Sequence, residues 1–178
     1  MVYVLLADGF EEIEAIEPVD ILRRAGIEVR TASIKRDAEV TGAHGIKVTA
    51  DMLITDIEPA DMELLMLPGG AGHELLDASN EVHYLINEAV IRGKYIAAIC
   101  AAPSILGKKT ILSGKKATCF PGYEKYLYGA VLSDSKVVSD NKIITARGAG
   151  AAADFGFRIV EILKGKSVAD ELKEQMQY

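Results

Sequence analysis

Residues 95–103 read Tyr-Ile-Ala-Ala-Ile-Cys-Ala-Ala-Pro, and this stretch decides the fold. Tyr95–Ile99 is a short apolar run, the pattern of a strand buried on both faces. A helix is expected from Ala101 onward. Between them stands Cys100, with Ala98 and Ala102 two positions to either side. Small residues flanking a nucleophile in this way mark a sharp strand-to-helix elbow, because the turn is tight and the neighbouring strands approach closely. The turn pushes one side chain out into a cleft. It also sets that side chain at the positive end of a helix, where a thiolate is favoured and a cysteine pKa falls from about 8.5 toward roughly 3.5–7.5. Cys100 is therefore the candidate nucleophile. The plainer alternative is a small buried thiol behind a strand. That alternative fits Cys119 better, which lies in Ala-Thr-Cys-Phe-Pro with no elbow around it.

Working outward, the chain alternates short apolar runs with amphipathic segments. Val2–Ala7, Ile27–Ala32 and Leu64–Leu67 read as further buried strands. Glu11–Ala25 carries apolar residues at helical spacing and stops at Gly26. Val40–Val48, interrupted by Thr-Gly-Ala-His-Gly, reads as a hairpin. Asn80–Arg92, Ala151–Lys164 and Val168–Gln175 read as helices, and Lys136–Val138 with Lys142–Ala146 as two strands about an Asp-Asn turn. Strand–helix alternation with fully apolar strands predicts an α/β three-layer sandwich, a mostly parallel sheet with helices on both faces. No linker, repeat or low-complexity segment divides the chain, so residues 1–178 are expected to form one domain.

Ligands of open α/β sheets sit at the carboxyl ends of the strands. Besides Cys100, that rule points to Asp8-Gly9, to Pro68-Gly69-Gly70 and to Arg147-Gly148. After the first strand the chain reads Asp8-Gly9-Phe10-Glu11-Glu12-Ile13-Glu14. Acidic residues in a first helical turn suit the helix dipole, but three glutamates exceed that need. One of them, Glu14 or Glu11, can face the neighbouring strand end and do acid–base work beside Cys100. Gly69 and Gly70 can turn backbone N–H groups into the cleft and form an oxyanion hole with the N–H of Ala101. Arg147 either binds an anion or braces the sheet. There is no G-x-x-x-x-G-K-[ST] phosphate loop and no G-x-G-x-x-G after the first strand.

Bulk properties narrow the function classes. A formal net charge of −6 over 178 residues, with no basic stripe, argues against a nucleic-acid binder. No apolar run reaches the roughly 18 residues needed to span a bilayer, and the amino-terminal stretch lacks the basic start of a signal peptide, so a cytoplasmic protein is expected. Two cysteines and three scattered histidines offer no ligand-spaced metal set, so neither a metal nor a cofactor is expected.

Four blocks now carry a resemblance: residues 8–14 with Pro18-Val19-Asp20 and Arg23-Arg24-Ala25-Gly26; Leu67-Pro68-Gly69-Gly70; Ala97–Pro103; and Ala146–Gly150. The chain resembles the ThiJ/PfpI superfamily, in the branch of the parkinsonism-associated deglycase (DJ-one) and bacterial YajL. The resemblance implies a flavodoxin-like fold and a homodimer. It implies that Cys100 is an oxidisable nucleophile, that Glu14 is a protonated partner hydrogen-bonded to it, and that Gly70 and Ala101 are the backbone donors near the sulfur. Two departures bear on chemistry. Peptidase members carry histidine directly after the cysteine, where this chain has Ala101, so proteolysis is disfavoured. A pocket histidine of the human-type protein is replaced by Phe120, which removes a second acid–base group. His44 lies in the hairpin where the family often carries an arginine reaching across the dimer. Gly69, Phe120, Arg147, Gly148 and His44 are the further pocket-lining candidates.

Three functions follow as expectations. The first is a cysteine-dependent glyoxalase or deglycase acting on methylglyoxal, related α-oxoaldehydes and their glycated adducts. The second is a non-catalytic redox sensor or stress chaperone that uses an oxidisable cysteine. The third is a hydrolase on another small substrate such as an isonitrile.

Overall fold

The computed structural model describes residues 1–178. Its centre is a seven-stranded sheet in the order β10-β11-β7-β6-β1-β2-β5. These strands are Val137–Asp140, Ile143–Ala146, Tyr95–Ile99, Leu64–Leu67, Val2–Leu6, Val29–Ser33 and Met52–Leu53. All neighbours run parallel except β10 and β11, which form the hairpin about Asn141. The sheet is buried on both faces, which is why β1, β6 and β7 are apolar without alternation. One face is covered by α1 (Glu12–Arg24), α5 (Ala152–Lys164) and α6 (Lys166–Gln175). The other is covered by α2 (His73–Ala78), α3 (Asn80–Ile91) and α4 (Pro103–Lys108). This is the flavodoxin-like three-layer sandwich. Two apolar cores, one per face, hold it together.

Strand order reverses between β1 and β6, because β2 leaves β1 on one side and β6, β7 and β11 build outward on the other. A crevice opens at such a switch point, outside the carboxyl ends of the strands. The loops after β1, β6 and β7 therefore converge, although the first and last of them lie more than 90 residues apart along the chain.

Helix α1 forms because Glu12 and Glu14 sit in its first turn and Arg23 and Arg24 in its last, each matching the dipole. It ends where Gly26 takes φ +67° and Ile27 donates its N–H to the Leu22 carbonyl at 3.0 Å. That cap consumes Ile27, so the second strand begins at Val29 rather than at Ile27. The expected hairpin pairs β3 (Glu39–Thr41) with β4 (Lys47–Thr49). Three short strands escaped the sequence reading: β5, and the pair β8 (Lys116–Ala117) and β9 (Val131–Leu132). At two residues each they are too short to carry a period. No helix is long and apolar enough to cross a membrane.

Candidate active site

Cys100 occupies the elbow after β7, with φ +65°, a left-handed conformation that few non-glycine residues adopt. Its N–H donates to the Ala146 carbonyl at 2.9 Å, and its carbonyl accepts from the Phe120 N–H at 2.8 Å. The strained turn is thus pinned on both sides. Ala98 and Ala102 are fully buried, so the small flanking residues are required by space. Cys100 as a whole is only partly buried.

Glu14 points inward from the first turn of α1 and is 1% exposed. Its Oε2 accepts the Gly69 N–H at 3.0 Å. Its carboxyl also shares a hydrogen bond with the Cys100 thiol and receives the Ala149 N–H. Gly69 makes room for this arrangement. A Cβ there would land on Glu14 Oε2, 2.5 Å from Cys100 Cβ and 3.1 Å from Sγ. Gly70, at φ +78°, directs its N–H at the sulfur together with the N–H of Ala101. A Cβ on Gly70 would sit 2.5 Å from Glu11 N and Gly9 O, so only glycine fits between the loops. Gly148 lies on the far side, where a Cβ would come within 3.2 Å of the Phe120 ring and 3.7 Å of Glu14 Oε1. Phe120 is about half exposed and forms the rim.

The electrostatics differ from the sequence expectation. Burial first, and then the Glu11 charge, push Glu14 up to about 7, against hydrogen bonds from Cys100 and Gly69. Burial first, and then the charge of Glu14, push the Cys100 thiol up to about 12. The expected depression of the cysteine pKa by a helix terminus is not found. Residues 100–102 form a turn, α4 starts only at Pro103, and it is six residues long. The dipole it offers is small, whereas burial and a carboxylate in contact are strong. Cys100 and Glu14 therefore hold one negative charge between them near neutrality, with Gly70 and Ala101 N–H groups placed to stabilise it on sulfur.

The other candidates fall elsewhere. Arg147 Nη1 donates to the Asp134 carbonyl at 3.2 Å, and the residue lines a small cavity of about 90 Å³ with buried Cys119. It braces the loop before β10. His44 lies over the start of α1, with Nδ1 2.8 Å from Glu12 Oε2 and 3.6 Å from Glu11 Oε1. Glu12 Oε1 accepts the N–H groups of His44 and Ile46 at 2.8 and 3.4 Å. Burial would raise Glu12, but the hydrogen bonds from His44 override it and hold the carboxyl down at about 2. The histidines are thus less scattered than their spacing suggested. His44 and the two glutamates bring their ligating atoms within 4.8 Å of one another. Spacing hid this because the hairpin carries His44 back across 32 residues. Two site features had no sequence signal at all: the Ala149 N–H on Glu14, and buried His73 behind Gly70.

A doubly wound sheet whose switch-point crevice holds an elbow cysteine against a buried glutamate defines a cysteine–glutamate protein of the nucleophile-elbow class. The DJ-1/PfpI family model matches residues 1–162, and the chain belongs to that family. It is 40% identical over 174 residues to the Arabidopsis thaliana protein DJ-1 homolog B, covering 96% of this chain and 40% of that one. The chain thus spans about two fifths of the length of that relative. It is 32% identical over 165 residues to a Pyrococcus abyssi protein named a deglycase, covering 92% of this chain and 99% of that one. Among solved structures, oxidized Toxoplasma gondii DJ-1 superposes with a TM-score of 0.95 at 34% identity, covering 99% of this chain and 97% of the other.

Proposed function

We propose that this protein is a cysteine-dependent enzyme of glyoxalase or deglycase type, acting on α-oxoaldehydes such as methylglyoxal and on their adducts. The observation that carries this is the Cys100–Glu14 pair: a partly buried cysteine hydrogen-bonded to a carboxyl whose pKa is about 7, with two N–H groups at the sulfur. A group poised near neutrality is suited to both accepting and returning a proton. The relative from Pyrococcus named a deglycase supports the same reading.

In this mechanism Glu14 takes the thiol proton as Sγ bonds to the aldehyde carbon. The carbonyl electron pair moves to oxygen, which receives that proton, and a hemithioacetal forms. Glu14 then removes the proton from the former aldehyde carbon and returns it to the adjacent ketone carbon, while the hydroxyl proton passes from the first oxygen to the second. The first carbon is oxidised to a thioester while the second is reduced to an alcohol, so no external oxidant is required. Water cleaves the thioester, releasing the hydroxy acid and restoring the thiol. Lactate production from methylglyoxal tests the proposal. Wild type should exceed Cys100→Ser by at least about 10²-fold; equal rates would end the enzyme reading.

Redox sensing is the second reading, favoured by Cys100 being only partly buried where Cys119 is buried. Peroxide would transfer one oxygen to the Cys100 thiolate, giving sulfenate and water, and further equivalents would give sulfinate. Peptide mass spectrometry after mild peroxide should place added oxygen on Cys100 before Cys119.

The proposed assembly is a homodimer. Ile13 and Ile46 are 50% and 57% exposed, and with Ile16, Val48 and Met176 they line an apolar cavity of about 670 Å³. Asp20 and Arg24 stand one turn apart on α1, an arrangement that is self-complementary about a two-fold axis. Sedimentation of wild type against Ile13→Glu tests it: wild type should run as a dimer and the variant as a monomer. A cytoplasmic location belongs to the same proposal, and both cysteines are free, which suits a reducing compartment.

A further inference from the structure

His73 stands at the start of α2, three residues beyond Gly70, and is 8% exposed. Its Nδ1 lies 2.8 Å from the Gly70 carbonyl oxygen. A carbonyl only accepts, so Nδ1 carries the proton and donates it. The His73 backbone N–H reaches the same oxygen at 3.2 Å, so both donors recorded on that carbonyl come from one residue. The ring also packs edge-on against Tyr123, with centroids 5.2 Å apart and planes at 83°.

These contacts close a circuit around the sulfur. The Gly70 N–H faces Cys100 Sγ. The Gly70 carbonyl is held by His73, and His73 packs on Tyr123. Tyr123 donates its N–H to the Phe120 carbonyl at 3.1 Å, and Phe120 donates its own to the Cys100 carbonyl at 2.8 Å. Within this circuit the His73 ring is the side chain that ties the glycine loop after β6 to the loop after β8. Gly69 and Gly70 have no side chains to fix their peptide planes, and glycine rotates more freely than any other residue. The peptide that carries the Gly70 N–H is held on one side by Glu11, whose N–H donates to the Gly69 carbonyl at 3.1 Å, and on the other by the next peptide, whose Gly70 carbonyl His73 holds.

We propose that His73 is a positioning residue: its imidazole, by clamping the Gly70 carbonyl and bracing Tyr123, keeps the Gly70 N–H trained on the Cys100 sulfur. The inference rests on the cysteine chemistry proposed above, but its test does not need the aldehyde substrate. The probe is iodoacetamide, with the rate of Cys100 carbamidomethylation followed by peptide mass spectrometry across pH on the full chain.

His73→Ala should slow that reaction by about tenfold near neutrality, a partial misplacement rather than loss of the donor. It should also move the pH midpoint upward, because an N–H donated to the anion favours the anion. His73→Asn places a side-chain N–H where Nδ1 sits and should restore most of the rate and the midpoint. His73→Leu fills comparable space without a donor and should behave as the alanine variant does. The Asn and Leu variants decide the matter if the alanine variant is unfolded. Equal rates and midpoints in wild type and His73→Leu would overturn the assignment. So would an Asn variant as slow as the Leu variant, since packing alone would then explain the effect. If wild type fails to convert methylglyoxal while the Asn and Leu variants still separate, the enzyme reading falls and the role of His73 stands.

Discussion

Gly69 donates its backbone N–H to Glu14 Oε2 at 3.0 Å, and the side chain it lacks is the space in which that carboxyl meets Cys100. The glycine is therefore a requirement of the site as much as of the turn. Replacement by alanine puts a methyl group onto Glu14 Oε2 and 2.5 Å from Cys100 Cβ. Overpacking of this kind costs about 1–3 kcal/mol. Gly69→Ala should unfold at lower temperature by scanning calorimetry and should lose most of its Cys100 reactivity toward iodoacetamide.

The pH dependence of Cys100 follows from the shared charge. Below about 7 both Glu14 and the thiol hold protons; above it the pair has lost one. Alkylation of wild-type Cys100 should therefore rise first near 7, as Glu14 becomes able to accept the thiol proton, and again toward about 12, as the thiol itself ionises. In Glu14→Gln the proton acceptor is gone, and burial acts on the thiol against the N–H groups of Gly70 and Ala101. The rise near 7 should disappear, and the thiol midpoint should fall from about 12 toward the ordinary value of 9.0, because Glu14 no longer raises it. Turnover of methylglyoxal at neutral pH should fall by about 10²–10⁴, the contribution of a positioned general base.

Stability carries the same signature with a definite sign. The folded-state pKa of Glu14 is raised from 4.5 to about 7, so the native state binds the extra proton between those values. That contribution is present in full below 4.5 and is lost as pH rises through about 7. The shift corresponds to about 3 kcal/mol. Glu14→Gln, which cannot ionise, should be more stable than wild type above neutrality, and the difference should shrink toward acid. Urea unfolding at a series of pH values measures it.

Glu12 behaves in the opposite sense. Its pKa is lowered to about 2, so the stability it lends is present above 4.5 and is lost as pH falls toward 2. Its Oε1 is the acceptor for the N–H groups of His44 and Ile46 in the β3–β4 connection. Glu12→Ala should cost about 1–3 kcal/mol by leaving those donors unmet. Amide hydrogen exchange should show residues 42–46 opening first. The loss relative to wild type should be greatest near neutrality and disappear in strong acid.

Much of this was legible in the sequence because the signals are local. The apolar runs at Val2–Leu6, Leu64–Leu67 and Tyr95–Ile99 mark strands buried on both faces. The alanines around Cys100 mark the elbow, and acidic and basic helix ends with Gly26 bound α1. Each of these depends on one residue's own backbone freedom, size or charge. What the sequence left open depends on distances across the chain. Spacing alone does not choose between Glu11 and Glu14; the resemblance points to Glu14, and the packing of α1 on the sheet buries it against Cys100. The raised pKa of Glu14 agrees with expectation, whereas the raised pKa of the Cys100 thiol does not, for the same reason. A helix terminus can be read from the chain, but burial and the approach of a carboxylate cannot. His73 and the Ala149 N–H left no trace, because a hydrogen bond to a backbone group places no demand on sequence spacing. Local steric and dipolar preferences determined the elements and the nucleophile; the convergence of three strand ends at one crevice, a tertiary event, determined which groups share its proton.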